Sequence, residues 1–198
     1  MPNPNRPMGL RPVGTIGSAG YRGKIEAFNV PATDATAIGL GDPVTLAGAG
    51  GLSADGLPIC KRGTVGGIAA GVMVGVQLNP NDLSMTGGYR KASTAMTILV
   101  DTDPNTIYEI QEDSVGGSVA LADGTKNASL ILGTVDVVTG NSKTMLDSST
   151  AAANAALDLL LLRPSLKVDN APVTSPYCKW LVKLNLHQYA AGVVRVGV

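Results

Sequence analysis

Aromatic side chains are scarce in this 198-residue chain, which holds one Phe, one Trp and five Tyr. The length is enough to bury a core, so that core must be filled by Val, Leu, Ile, Ala and Met. Charge is thin as well: 15% of residues, with Lys plus Arg and Asp plus Glu equal at 15 each. That balance argues against a nucleic-acid binder, because phosphate contacts need clustered cations. It also leaves little self-repulsion to keep copies apart. No apolar run approaches the roughly 20 residues that span a bilayer. The longest, IAAGVMVGV, is strand-sized.

Catalytic signatures are missing too. One His and two distant Cys do not add up to a zinc site without a fourth ligand. Cys60 and Cys178 belong to no C-x-x-C pair and read as buried reduced thiols. His187 sits at the polar end of an alternating strand and is expected to be solvated. There is no G-x-x-x-x-G-K-[ST] phosphate loop and no G-x-S-x-G elbow. Gly48, Gly50 and Gly51 lack the strand-to-helix setting of a dinucleotide fingerprint. Glu112 and Asp113 are adjacent on a strand, so they point to opposite faces and make a poor acid/base pair. The reading is a non-enzyme with no cofactor and no metal.

What the chain does have is Gly and Pro, 25 and 12 of them, punctuating short apolar runs. That mix predicts a mainly β fold, an antiparallel β-sandwich or β-barrel with at most one or two short helices. MPNPNRPMGLRPVG reads as neither a signal peptide nor a transit peptide. Its four prolines fix φ and remove backbone donors, and glycines follow. Residues 1–20 are therefore read as a disordered tail or as an extended Pro/Gly-rich arm that orders against a neighbour, and residues 21–198 as one β-rich domain. The arm carries charge and apolar anchors in Arg6, Met8, Leu10, Arg11, Val13 and Ile16, which are its candidate partner-binding residues. Such an arm is expected to pack on another subunit by adding to a sheet edge.

Within the domain, GDPVTLAGAGG reads as a turn, a strand and a flexible loop. GIAAGVMVGVQ reads as a buried strand whose glycines permit close backbone approach or bulges. NASLILGTVDVV reads as one long strand with a bend at Gly133. SSTAAANAALDLLLLRP is ambiguous: a short helix over Ser149 to Ala156, or no helix, and then a strand through Leu162. YCKWLVKLNLHQ is a half-buried strand with Cys178, Trp180, Val182, Leu184 and Leu186 on one face.

The stretch TILVDTDPNTIYEIQED places Asp101, Asp103, Asn105 and Glu112 at EF-hand ligand spacing. An EF-hand needs Gly at its sixth position and a helix on each side, whereas Thr106 and β-rich flanks stand here. Asp-x-Asp-Pro-Asn reads instead as a hairpin turn, with Ile98, Val100 and Ile107 packing inward on its strands.

The same stretch carries a resemblance. The N-P-N-R-P-x-G-L-R-P-V opening, G-D-P-V, D-x-D-P-N-T-x-Y-E-I-Q-E-D, G-N-S-K-T-x-L-D and W-L-V-K-L-N-L-H-Q follow one another in order. Together they resemble the head structural proteins of tailed bacteriophages. The resemblance implies a capsid decoration (cement) protein that binds the outer surface of the major capsid protein lattice. It implies a location on the virion, and the charge and hydropathy read above add self-association and no nucleic-acid or membrane partner as expectations. A tail or neck component is the nearest alternative. A carbohydrate-binding module or β-barrel hydrolase is the alternative from another class.

Overall fold

The computed structural model describes residues 3–17, 20–47, 51–78, 88–170 and 175–190. Residues 1–2 and 18–19 of the expected arm, and residues 48–50 of the loop after the G-D-P-V strand, lie outside them. In chain order the strands are β1 (Arg11–Thr15), β2 (Ile25–Val30), β3 (Pro43–Leu46), β4 (Cys60–Arg62), β5 (Gly71–Val76) and β6 (Met96–Asp101). Then come β7 (Thr106–Gln111), β8 (Asn127–Ala128), β9 (Leu130–Ile131), β10 (Met145–Leu146), β11 (Leu159–Pro164) and β12 (Lys179–Leu184).

These strands form a mainly β structure of sandwich type. One five-stranded sheet runs β1-β7-β12-β11-β8 and the other β2-β6-β5-β3-β4, while β9 and β10 pair by themselves. Every strand pairing among the described residues is antiparallel. Each large sheet has its own apolar cluster. Tyr108, Ile110, Trp180, Val182, Leu159 and Leu161 anchor that of the first sheet. Phe28, Val44, Cys60, Met73, Ile98 and Val100 anchor that of the second. Val72 of β5 belongs to the first cluster although its neighbour Met73 belongs to the second, so β5 links the two.

The alternation read in YCKWLVKLNLHQ is present: Cys178, Trp180, Val182 and Leu184 are all buried, and Leu186 is half-buried. The glycines of the β5 segment act as read. A Cβ at Gly71 would collide with the carbonyl of Asp101 on β6, and the β5–β6 register shifts between Met73 and Gly75.

Three expectations are corrected, and the open alternative for the Ala-rich segment is settled. Asp101 ends β6 in the second sheet and Thr106 opens β7 in the first, so the Asp-Pro-Asn turn is a crossing between sheets, not a hairpin. Because the chain changes sheet there, the inward face is not carried across: Thr106, Tyr108 and Ile110 are buried, and Ile107 is only half-buried. NASLILGTVDVV is not one strand. Ser129 gives its N–H to the Thr150 hydroxyl (2.9 Å), and the chain leaves β8 on the first sheet to pair β9 with β10. The Ala-rich segment forms no α-helix, only a 3-10 turn over Ser148–Thr150 with Asp147 accepting from the Ser149 N–H. So short a run before a strand cannot repay the cost of nucleating a helix.

Candidate functional site

The N-terminal segment is extended, but it is built into this chain's own domain. β1 pairs with β7, with a bulge at Val13. Leu10 is 1% exposed inside the first cluster. Its N–H donates to the carbonyl of Gly41 at 2.9 Å. The backbones cross closely there: a Cβ at Gly9 would lie 2.7 Å from the Gly41 oxygen, and one at Gly41 would lie 2.8 Å from the Leu10 nitrogen. Both glycines also hold positive φ, +67° and +86°. Upstream, the Arg6 N–H donates to Gln111 Oε1 and Gln111 Nε2 donates to Asn5 Oδ1, both at 3.0 Å. The segment is thus tied along β7 by side chains as well as backbone.

The structure therefore divides the six residues read as partner anchors. Leu10 is consumed by the core. Met8 (38%), Val13 (38%) and Ile16 (47%) remain exposed, as do Arg6 and Arg11. Arg11 and Val13 lie on β1, the outermost strand of its sheet, with Arg6 and Met8 before it and Ile16 after it. Behind them lies a groove of about 260 Å³, walled by Met8, Leu10 and Arg11 on one side and by Leu40, Met73 and Asn141 on the other.

Several carboxylates, Asp42 and Asp158 unweighed in the sequence reading and Glu112 and Asp113 weighed only as an acid/base pair or cation ligand, are buried clamps between loops. Asp42 Oδ1 accepts from Arg62 Nη2 (2.7 Å), Ser142 Oγ (2.5 Å) and Thr144 Oγ1 (2.9 Å). Its Oδ2 accepts from the Gly39 N–H at 2.8 Å. Asp158 holds the N–H groups of Gly66 and Leu130, at 2.7 and 3.0 Å. Asp113 accepts from the Ser148 N–H and hydroxyl, at 3.0 and 2.9 Å. Glu112 accepts from the Val119 N–H at 3.0 Å; burial pushes its carboxyl up, and that N–H pulls it back. A buried charge persists only when so partnered. The sole hint in the sequence was Asp42 before Pro43, read there as a turn. Arg90 is fully buried and donates to the carbonyls of Thr36, Thr94, Pro31 and Asp34 at 2.6–2.8 Å. Burial lowers its guanidinium and the Asp34 charge opposes this.

At the crossing turn, Asp101 is fully buried and accepts from the Tyr108 phenol at 3.4 Å and the Asp103 N–H at 3.2 Å. Burial raises the Asp101 carboxyl, and burial with the Asp101 charge raises the Tyr21 and Tyr108 phenols. His187, expected in solvent, is 0% exposed. Its backbone bridges Ala69, which turns the end of the β12 segment inward. The Tyr189 N–H donates to Nδ1 at 3.1 Å, so the ring is neutral with its proton on Nε2, which has no partner among the described residues. Burial pushes the imidazole down to about 4, helped by Lys183 and opposed by Asp103. Both cysteines are free and buried, and burial drives Cys60 up to about 12 and Cys178 in the same direction.

Among the described residues no three His, Cys, Asp or Glu side chains gather as a metal site, and no helix is long and apolar enough to cross a membrane. The arrangement is an edge strand with exposed apolar and cationic side chains, on a domain whose buried acids cross-link its loops. No family model, no curated protein and no solved structure matches the chain.

Proposed function

We propose that this chain is a non-enzymatic virion structural protein, a decoration (cement) protein on the outer surface of a tailed phage's major capsid protein lattice. The observation that carries the reading is the edge strand β1, flanked by exposed Met8, Val13 and Ile16. An exposed edge gains main-chain hydrogen bonds when a neighbouring chain adds a strand to it. Repetition on a lattice then multiplies a modest single contact into avidity. The resemblance of its motifs, taken in order, to those of phage head proteins is read in favour of the same role. The buried carboxylate clamps suit a domain whose task is to hold its shape.

Cryo-electron microscopy of purified virions tests this. The expected result is repeated density on the outer head surface that fits this two-sheet domain. Density confined to the neck or tail, or none, overturns the proposal.

A further inference from the structure

The first sheet has two faces, and they differ in kind. Tyr108, Ile110, Trp180 and Val182 face the core. The alternate residues face outward, and the register aligns them in rows across the strands. One row is set by Arg11 opposite Glu109, Glu109 opposite Leu181, and Leu181 opposite Arg163. It crosses three inter-strand gaps, so its two arginines start about 14 Å apart. Lys183 opposite Leu160, and Lys179 opposite Gln111, lie on the same face.

The charges on this face do not cancel. Its carboxylate Glu109 is taken by Lys167 at 2.9 Å and by the Ser165 hydroxyl at 2.7 Å. Asp169, at its rim, is taken by Lys179 at 2.7 Å. Arg6, Arg11, Arg163 and Lys183 make no ion pair among the described residues. A chain with no net charge thus collects four unpaired cations on one sheet face. A notch of about 40 Å³ opens there between the N-terminal segment and β7, with Arg6, Arg11 and Lys179 in its wall. Leu160, Leu181 and Ile107 supply a half-buried apolar centre between the cations.

We infer that this outer face is the docking surface for an acidic protein surface, and, resting on the capsid reading, that the acidic surface belongs to the shell. An apolar centre with a polar rim is the anatomy of a protein–protein contact. The unpaired cations add steering and select against basic partners. Nucleic acid fits less well, because the strands place no aromatic side chain on this face for bases to stack on.

The test compares wild type with R11E/R163E/K183E, and with K61E/K143E as a control at exposed lysines outside the first sheet. Co-sedimentation with shells is expected to weaken roughly tenfold or more for the triple variant and to change little for the control. Where wild type binds shells, equal binding by the triple variant, or an equal loss in the control, overturns the inference. Should the triple variant melt early, R163Q/K183Q takes its place with the same expected direction. Wild type is also titrated with an oligoglutamate peptide and, separately, a short DNA duplex, read by amide chemical shifts. Shifts centred on Arg11, Leu181 and Lys183 with the peptide support the inference even if wild type ignores shells, an outcome that sinks the capsid reading alone. Shifts centred elsewhere, or tighter binding of the duplex, overturn it.

Discussion

Arg62 donates to Asp42 at 2.7 Å, and the Asp42 carboxylate is wholly out of solvent. The same oxygen accepts from Ser142 and Thr144, so one carboxylate joins the β3–β4 region to the loop before β10. Arg62 also donates to the Gly133 carbonyl, which draws a third segment into the knot.

Removing Asp42 leaves a largely buried guanidinium without a carboxylate, held, among the described residues, only by the Gly133 carbonyl and the Thr144 hydroxyl. Asp42→Ala is expected to cost about 3–5 kcal/mol, the range for breaking a buried pair from one side. Denaturant melts of Asp42→Ala and Arg62→Met measure it. A loss under about 1 kcal/mol in Asp42→Ala would show the pair to be no more than a surface ion pair in effect.

The His187 ring titrates near 6.5 when unfolded and about 4 when folded. The unfolded chain therefore binds the extra proton between those values, and stability falls as pH drops from about 6.5 towards 4. The full loss is about 3 kcal/mol, reached once pH lies below both values. Asp101 and Glu112, with raised carboxyls, bind protons earlier when folded and work in the opposite direction. The difference between wild type and His187→Phe isolates the imidazole. If melts of the two run parallel from pH 7 to pH 4, the ring is not held neutral by burial.

The crossing of Gly9 and Gly41 admits no side chain. Gly9→Ala and Gly41→Ala each force a left-handed conformation, worth about 1–2 kcal/mol, on top of a backbone collision. Each is expected to lower stability by more than about 2 kcal/mol in thermal melts. Gly17→Ala shares the positive φ but meets nothing within 4 Å, so it separates the two causes. Equal losses at all three positions would mean that the close approach contributes nothing.

The Asp101–Asn105 crossing is a turn held by its own side chains, with Asp103 Oδ1 accepting the Asn105 N–H at 2.9 Å. Chelator is expected to leave the melting temperature unchanged. Ile98→Ala, fully buried on β6, should cost about 2–5 kcal/mol. Asp103→Ala should cost about 1 kcal/mol through its lost hydrogen bond. A larger loss at Asp103 that appears only with calcium present would instead make this a cation loop.

Local pattern was enough for much of this protein. Period-two alternation around Trp180, Gly and Pro punctuation, and the shortage of long apolar runs determined an antiparallel β domain with buried thiols. Pro residues likewise excluded a helix at the N-terminus, where Arg11–Thr15 form β1. What the sequence could not say is which edge or sheet each strand joins, because a strand's partners lie far away in the chain. Only the tertiary structure decided that Leu10 packs at Gly41 and that the chain changes sheets after Asp101. It also decided that the β12 segment turns inward at Ala69, taking a histidine with a polar pattern out of water. The cationic face has the same origin. Arg11, Arg163 and Lys183 are unremarkable one at a time and become one surface only when β1, β11 and β12 are laid in register, since charge acts through space and not along the chain.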